Sequence, residues 1–241
     1  QELAIATGAV DVMLVDVQCI MPALSRLCSC FHTKLITTSP KCKIEGAEHF
    51  EFHEDKAVAT ARKIITAAID NFPNRGKQIN IPDASQGGVA GFTTENIFYY
   101  LGGRFRGSYR PLNDGIISGR LRGAAGVVGC NNPKQSQDFG HLTLIKELIR
   151  NDVLVVATGC GAQAAAKAGL MRTDTALQDC GKGLREICET VGIPPVLHVG
   201  SCVDNSRILT ILTQSLLEGG LGEDLSDLPV AGAAPEWMSE K

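Results

Sequence analysis

The chain has 241 residues, of which 44% are hydrophobic and 20% are charged, and its formal net charge is −3. This composition is typical of a globular protein with room for one large domain or two small ones. The sequence contains no basic block of the kind that binds nucleic acid or an anionic membrane surface. Its apolar runs are well short of the roughly 20 residues that span a bilayer. We therefore expect no nucleic-acid partner and no membrane span.

The cysteine content indicates the redox compartment. Nine cysteines are an odd number, and no secretion signal accompanies them, which argues against a disulfide scaffold and favours a reducing, cytoplasmic environment. The chain begins at Gln1 rather than Met and opens directly into an apolar segment. We therefore expect a segment of a longer polypeptide, with processing of a natural N-terminus as the alternative.

In the first part of the chain, apolar runs alternate with helical patterns. A helix is predicted over residues 55–72 because Ala57, Ala61, Ile64, Ile65 and Ala68 follow one another at three- and four-residue spacing. Turn residues at 71–76 and 82–88 then mark a boundary between two lobes, residues 1–77 and 78–241. The other elements predicted before this boundary are strands over 12–17 and 35–38 and a helix over 22–31.

The second part repeats the alternation more regularly. Apolar runs predict strands, and amphipathic or small-residue segments between them predict helices. The predicted strands are residues 124–128, 153–157, 196–199 and 228–233. The predicted helices are residues 94–101, 112–121, 141–150, 163–169, 183–191 and 207–218. Strands separated by helices indicate βαβ units, so the predicted fold class is α/β, with two Rossmann-like, doubly wound lobes built on parallel sheets.

Four cysteines occupy equivalent places in this pattern. Cys19, Cys130, Cys160 and Cys202 each lie just beyond a predicted strand, where the chain turns towards a helix. The carboxyl edge of a parallel sheet is where ligands bind, and a nearby helix N-terminus favours the thiolate that binds metals. Glycine or serine precedes three of the four, which would let a bulky inorganic group approach the backbone.

The spacing of these cysteines bears on the kind of metal site. Successive members are 111, 30 and 42 residues apart, whereas a structural zinc site draws its ligands from short local pairs. An iron–sulfur cluster held by separate loops is therefore the better fit. The competing interpretation is that these are buried cysteines without a ligand role.

The residues around these cysteines closely resemble a known family. VDVQCIMP, VVGCNNPK, ATGCGA and HVGSCVDNSR surround Cys19, Cys130, Cys160 and Cys202, and WMSEK forms residues 237–241. In this order, and over essentially the whole chain, they resemble the nickel-dependent carbon monoxide dehydrogenases, an oxidoreductase family. The resemblance implies that Cys19, Cys130 and Cys160 bind irons of a nickel–iron–sulfur C-cluster and that Cys202 binds nickel. Lys241 would donate a hydrogen bond to substrate oxygen.

The resemblance also implies a reaction and partners. The family interconverts CO and water with CO2, two protons and two electrons, passes the electrons to an acceptor such as ferredoxin, and is homodimeric. Some members associate with an acetyl-CoA synthase. The family's remaining C-cluster ligands, a histidine and a cysteine, precede Cys19 and have no match here. Its additional 4Fe-4S clusters are expected in the parent protein but not in this segment, so we expect residues 1–241 alone to be incomplete.

Two alternatives remain open. The related hybrid cluster proteins, which reduce nitrogen compounds, share fold elements and a cysteine-rich cluster. The other alternative is a non-redox α/β nucleotide-binding module. Gly159, Gly161 and Ala164 form a weak dinucleotide-binding pattern, and Asp179 follows it in the sequence. The HVGSCVDNSR and WMSEK strings favour the carbon monoxide dehydrogenases.

The remaining candidate residues are assigned structural or supporting roles. His198 and His32 are either ordinary structural histidines or donors near a metal site, whereas His49, His53 and His141 are predicted to lie at surface or helix positions. Asn131, Asn132 and Asn205 could donate hydrogen bonds to cluster sulfides or form turns and caps. The five other cysteines are predicted to be structural: Cys28, Cys30, Cys42, Cys180 and Cys188.

Overall fold

The structure, a computed structural model, describes residues 1–102 and 107–237. The chain forms two compact units, Gln1–Ser85 and Gln86–Lys241. Each unit contains one parallel β-sheet flanked by helices, which confirms the predicted α/β fold class. Among the described residues, no helix is both long and apolar enough to cross a membrane.

The first unit is built on a three-stranded sheet with the order β1-β2-β3. Val12 of β1 lies beside Lys34 of β2, and Ile36 of β2 lies beside Glu48 of β3, with both pairs of strands parallel. The elements are α1 (Glu2–Ala6), β1 (Val12–Val15), α2 (Ala23–Cys28), β2 (Lys34–Thr37), β3 (Glu48–His49) and α3 (Ala57–Asn71). The sequence patterns did not predict α1 and β3, which are too short to show a period.

Helix α3 forms where predicted, but the residues whose spacing predicted it are not its most buried ones. Ala61 and Ile65, two of the residues whose spacing predicted the helix, lie on its exposed side. Thr60 and Asn71 are the fully buried positions instead. Asn71 is buried because its side-chain amide donates to the backbone oxygens of Asp11 and His32, so a polar contact rather than an apolar stripe sets the rotation of the helix.

The same region contains a charged cluster around Asp11. The Arg75 guanidinium donates to both Asp11 carboxylate oxygens, at 2.8 and 2.6 Å, and His32 Nε2 lies 2.9 Å from Oδ1. The hydrogen bond from Arg75 lowers the pKa of Asp11; burial opposes this effect, and His32 adds to it. His32 is therefore part of a structural hydrogen-bonded cluster in the first unit.

The second unit has a four-stranded parallel sheet with the order β6-β5-β4-β7. The strands are β4 (Gly123–Val127), β5 (Val153–Thr158), β6 (Val196–Gly200) and β7 (Val230–Ala233). The helices are α4 (Thr94–Gly102), α5 (Arg110–Ile117), α6 (Phe139–Arg150), α7 (Gly159–Lys167), α8 (Lys182–Val191) and α9 (Ser206–Glu218). Buried Val155 and Ala157 of β5 have no exposure, as expected for a central strand covered on both faces.

The strand order reverses direction at β4. Strands β4, β5 and β6 extend the sheet to one side in chain order, whereas β7 returns to the other side of β4, with Ala125 beside Ala231. The carboxyl ends of β4 and β7 therefore mark the point at which the strand order switches. In open α/β sheets this is the usual position of a ligand site.

Candidate functional site

Three of the four predicted cysteines lie at one edge of the second sheet. Cys130 follows β4, Cys160 is the second residue of α7 directly after β5, and Cys202 begins the short 3-10 turn Cys202–Asn205 after β6. Because these strands are adjacent and parallel, their carboxyl ends share an edge. All three cysteines are half-buried. The structure thus brings the loops of Cys130, Cys160 and Cys202 to the same side of the sheet.

Gly159, which precedes Cys160, shows how closely two of these loops approach. Its φ is 55°, in the left-handed region that favours glycine. A Cβ at this position would overlap the Cys202 sulfur. The glycine is therefore needed both for the turn out of β5 and for the close approach of the Cys202 thiol.

Hydrogen bonds hold the turn that carries Cys202. Ser201 and Asp204 form a reciprocal capping box across it. Arg207 donates to the Val199 carbonyl oxygen at 2.7 Å, and the Thr158 hydroxyl donates to Asn205 Oδ1. Asn205 therefore links the Cys160 and Cys202 loops. The sequence predicted that Asn205 donates a hydrogen bond to a cluster sulfide or forms a turn or cap, and did not predict this link.

The loop after Cys130 is held by two buried carboxylates. Asn131 Nδ2 donates to Asp138 Oδ1 and Glu236 Oε2, both at 2.9 Å, so both of its amide hydrogens are engaged. Asn132 Oδ1 accepts from the Lys134 N–H and forms a local turn. The asparagines next to Cys130 thus have structural partners, in agreement with the turn-forming interpretation.

Cys19 lies in the first unit, beyond β1, and its side chain is exposed. Its φ of 54° is unusual for a residue other than glycine. A left-handed conformation at a non-glycine residue costs about 1–2 kcal/mol and is concentrated at functional sites. This outlier supports a role for Cys19 beyond packing.

Two histidines of the second unit differ in their surroundings. His141 lies in helix α6, one of the two positions predicted for it, but its side chain is fully buried rather than at the surface. Neither of its ring nitrogens has a hydrogen-bond partner in the described part of the chain. A Cβ on Gly161 would lie 3.2 Å from its Nδ1, which places the ring beside the Cys160 helix. Extending the buried stripe of Ile149 and Ile145 by four residues would have placed His141 in the core.

His198 is half-buried on β6, and its Nδ1 accepts from the Gly200 N–H at 3.1 Å. Burial lowers the pKa of His198, and the nearby Asp204 carboxylate opposes this effect. Both observations describe a neutral imidazole with a structural hydrogen bond.

The five cysteines assigned structural roles divide by burial. Cys28, Cys42, Cys180 and Cys188 are buried, whereas Cys30 is exposed and its thiol donates to the Arg26 carbonyl oxygen. Burial raises the pKa of the Cys180 thiol to about 12 and that of Cys188 further. Buried thiols with raised pKa values are poor thiolate ligands, in agreement with the structural roles predicted for Cys180 and Cys188.

The donor set at the sheet edge fits an iron–sulfur cluster in its chemistry. Soft thiolates from separate loops are the ligands that such clusters use, one for each metal. Within residues 1–102 and 107–237, no three His, Cys, Asp or Glu side chains are grouped to hold a single metal ion. Lys241, the predicted hydrogen-bond donor, lies outside the described residues.

Fold and site together define the class: an α/β protein with cysteine-bearing loops at the carboxyl edge of a parallel sheet. Residues 1–241 match the Prismane/CO dehydrogenase family, and the chain belongs to this family. It is 55% identical to carbon monoxide dehydrogenase 1 of Methanosarcina mazei, and the match covers 100% of this chain and 37% of that protein. It is 47% identical to carbon monoxide dehydrogenase 1 of Carboxydothermus hydrogenoformans, and the match covers 100% of this chain and 39% of that protein. The chain therefore spans just over a third of these curated relatives.

Solved structures show the same likeness. The carbon monoxide dehydrogenase of Thermococcus sp. AM4, in a Ni-free form, superposes with a TM-score of 0.85 at 51% identity, covering 100% of this chain and 37% of that one. Carbon monoxide dehydrogenase IV of Carboxydothermus hydrogenoformans gives a TM-score of 0.85 at 45% identity, covering 99% and 39%. The family resemblance predicted from the sequence is confirmed.

Proposed function

We propose that this chain is the cluster-binding core of a carbon monoxide dehydrogenase, an oxidoreductase that interconverts CO and water with CO2, two protons and two electrons. The observation that carries the proposal is the arrangement of Cys130, Cys160 and Cys202 at the ends of three adjacent parallel strands. The relatives named carbon monoxide dehydrogenase support the choice of reaction. The hybrid-cluster and nucleotide-binding alternatives are not favoured.

The proposed cofactor is a nickel–iron–sulfur cluster, which would supply a site for CO and two-electron redox chemistry. Cys19, Cys130 and Cys160 would bind iron, and Cys202 would bind nickel. Cys160 lies in the first turn of α7, where backbone N–H groups and the helix dipole would stabilise the negative charge of a bound cluster. Lys241, a cationic donor, would hydrogen-bond the substrate oxygen as negative charge develops there.

Partners and location follow from the same proposal. The protein would be a cytoplasmic homodimer that passes its electrons to an acceptor such as ferredoxin. An acetyl-CoA synthase is a further proposed partner, supported by the 43% identity to the carbon monoxide dehydrogenase/acetyl-CoA synthase subunit beta of Moorella thermoacetica. Additional 4Fe-4S clusters would belong to the remainder of the parent protein.

The test is metal analysis of the full-length polypeptide, purified without oxygen. Nickel, iron and acid-labile sulfide are measured in the wild type, in Cys202→Ala and in Cys188→Ala, a control that removes a buried thiol from α8 of the same unit. We expect all three components in the wild type and in the control, and selective loss of nickel in Cys202→Ala. A wild-type protein that takes up no iron, even after reconstitution, would refute the proposal.

A further inference from the structure

A buried carboxylate joins the Cys130 loop to the segment after β7. Glu236 is 1% exposed and lies in the turn that follows β7, where the Trp237 N–H donates to the Ala234 carbonyl oxygen. Its two oxygens accept four hydrogen bonds from two different parts of the unit. A buried carboxylate is stable only when it is satisfied in this way.

One oxygen caps helix α6. Glu236 Oε1 accepts from the backbone N–H groups of Gly140 and His141, at 2.7 and 3.2 Å, in the first turn of the helix. These N–H groups have no partner within the helix, and the helix dipole favours a negative charge at this end. Gly140 has no side chain to obstruct the approach: a Cβ there would lie only 2.8 Å from Glu236 Cγ.

The other oxygen holds the residues that directly follow Cys130. Glu236 Oε2 accepts from Asn131 Nδ2 at 2.9 Å and from the Asn132 N–H at 3.3 Å. Asn131 also donates to Asp138 Oδ1, and Asp138 is paired with Lys167 near the end of α7. The network thus extends from the segment after β7, through the Cys130 loop, to the helix that begins beside Cys160.

The network also has a defined place in the fold and a defined charge. It joins the loop that leaves β4 to the segment that leaves β7, the two strands between which the strand order reverses. Burial raises the pKa of Glu236, but the hydrogen bonds from Asn131, His141, Asn132 and Gly140 outweigh it, so the net shift is downward. The group is therefore held as an anion against four donors.

We infer that Glu236 is a positioning residue, which fixes the Cys130 loop against α6 and against residues 234–237, which follow β7. Its hydrogen bonds to Asn131 and Asn132 restrict the backbone on the carboxyl side of Cys130, and so define where that thiol projects from the sheet edge. The role of Cys130 as a cluster ligand rests on the proposed function, whereas the restraint on its loop does not.

The experiment compares cysteine reactivity in the full-length polypeptide after metal removal. Alkylation by iodoacetamide is followed for Cys130 and Cys160 separately, by mass spectrometry of their peptides. In Glu236→Gln we expect Cys130 to react about fivefold faster, which corresponds to a loop opening that is easier by about 1 kcal/mol. The rate at Cys160 should stay within twofold of the wild type.

Glu218→Gln is the matched control. Glu218 lies in the same unit, and its carboxylate oxygens accept from the Ser108 hydroxyl and the Tyr109 N–H, remote in sequence from the cysteine loops. Its substitution should leave both rates unchanged. If Glu236→Gln does not fold, Asn131→Ala replaces it, because that change removes the side-chain link to the Cys130 loop and leaves the cap of α6 in place.

The outcomes separate this inference from the proposed function. Faster alkylation of Cys130 alone, together with lower iron content in the metal-loaded variant, supports both. If Cys130 is alkylated faster in Glu236→Gln but the wild-type protein takes up no iron, the restraint on the loop is supported and the proposed cluster is refuted. An unchanged Cys130 rate, or an equal increase at Cys160 or in the Glu218 control, overturns the inference.

Discussion

The close approach of Gly159 to the Cys202 sulfur gives a quantitative prediction. In Gly159→Ala, a side chain is added at a φ of 55°, where it also overlaps that sulfur. The left-handed conformation costs an alanine about 1–2 kcal/mol, and overpacking a filled site costs about 1–3 kcal/mol more. We therefore expect Gly159→Ala to lower the free energy of unfolding of the second unit by about 2–5 kcal/mol.

Gly192→Ala separates the two contributions. Gly192 ends α8 with a φ of 77°, and a Cβ there would meet no atom within 4 Å. In this variant the free energy of unfolding should fall only by the cost of the left-handed conformation, about 1–2 kcal/mol. The second control is Gly159→Ala in a Cys202→Ala background, where removal of the sulfur should recover about 1–3 kcal/mol relative to the sum of the single changes.

The assay is urea unfolding of the metal-free protein, followed by far-ultraviolet circular dichroism. The midpoint should shift without a change in slope, since the slope reports the surface exposed on unfolding. Equal losses in Gly159→Ala and Gly192→Ala, with no coupling to Cys202, would show that the Cys202 thiol does not lie against Gly159. The proposed approach of the Cys160 and Cys202 loops would then be wrong.

Two further predictions concern buried polar groups. Because the pKa of Asp11 is lowered, its contribution is present above its unfolded value of 3.8 and is lost as the pH falls through the lower folded value. Asp11→Asn should weaken the acid dependence of unfolding in that range, and an unchanged pH profile would contradict the assignment. In the metal-free protein, His141→Leu should leave stability unchanged or raise it, because neither ring nitrogen is hydrogen-bonded to the described residues. The control His198→Leu should lower the free energy of unfolding by about 1 kcal/mol, because it removes the hydrogen bond from the Gly200 N–H. A larger decrease in His141→Leu than in this control would show that the His141 ring has a hydrogen-bond partner, and would contradict the prediction.

The sequence by itself determined the fold class and the position of the cysteines in it. The apolar runs at β4, β5 and β6 are strong signals because a buried parallel strand needs hydrophobic residues on both faces. Cys130, Cys160 and Cys202 follow these runs directly, so their common edge could be predicted from local patterns and the parallel topology alone. The motifs around them were specific enough to identify the family.

Only the tertiary structure decided which groups support those cysteines. Glu236 lies 106 residues after Cys130 in the sequence, and nothing local marks it as the acceptor for the Cys130 loop. The burial of His141 and the rotation of α3 likewise depend on which element packs against each helix, and helical spacing alone leaves that open. Local patterns are determined by short-range sterics and burial, whereas polar networks depend on distant strands meeting in a fixed register, and this is why the network around Cys130 could not be predicted from the sequence.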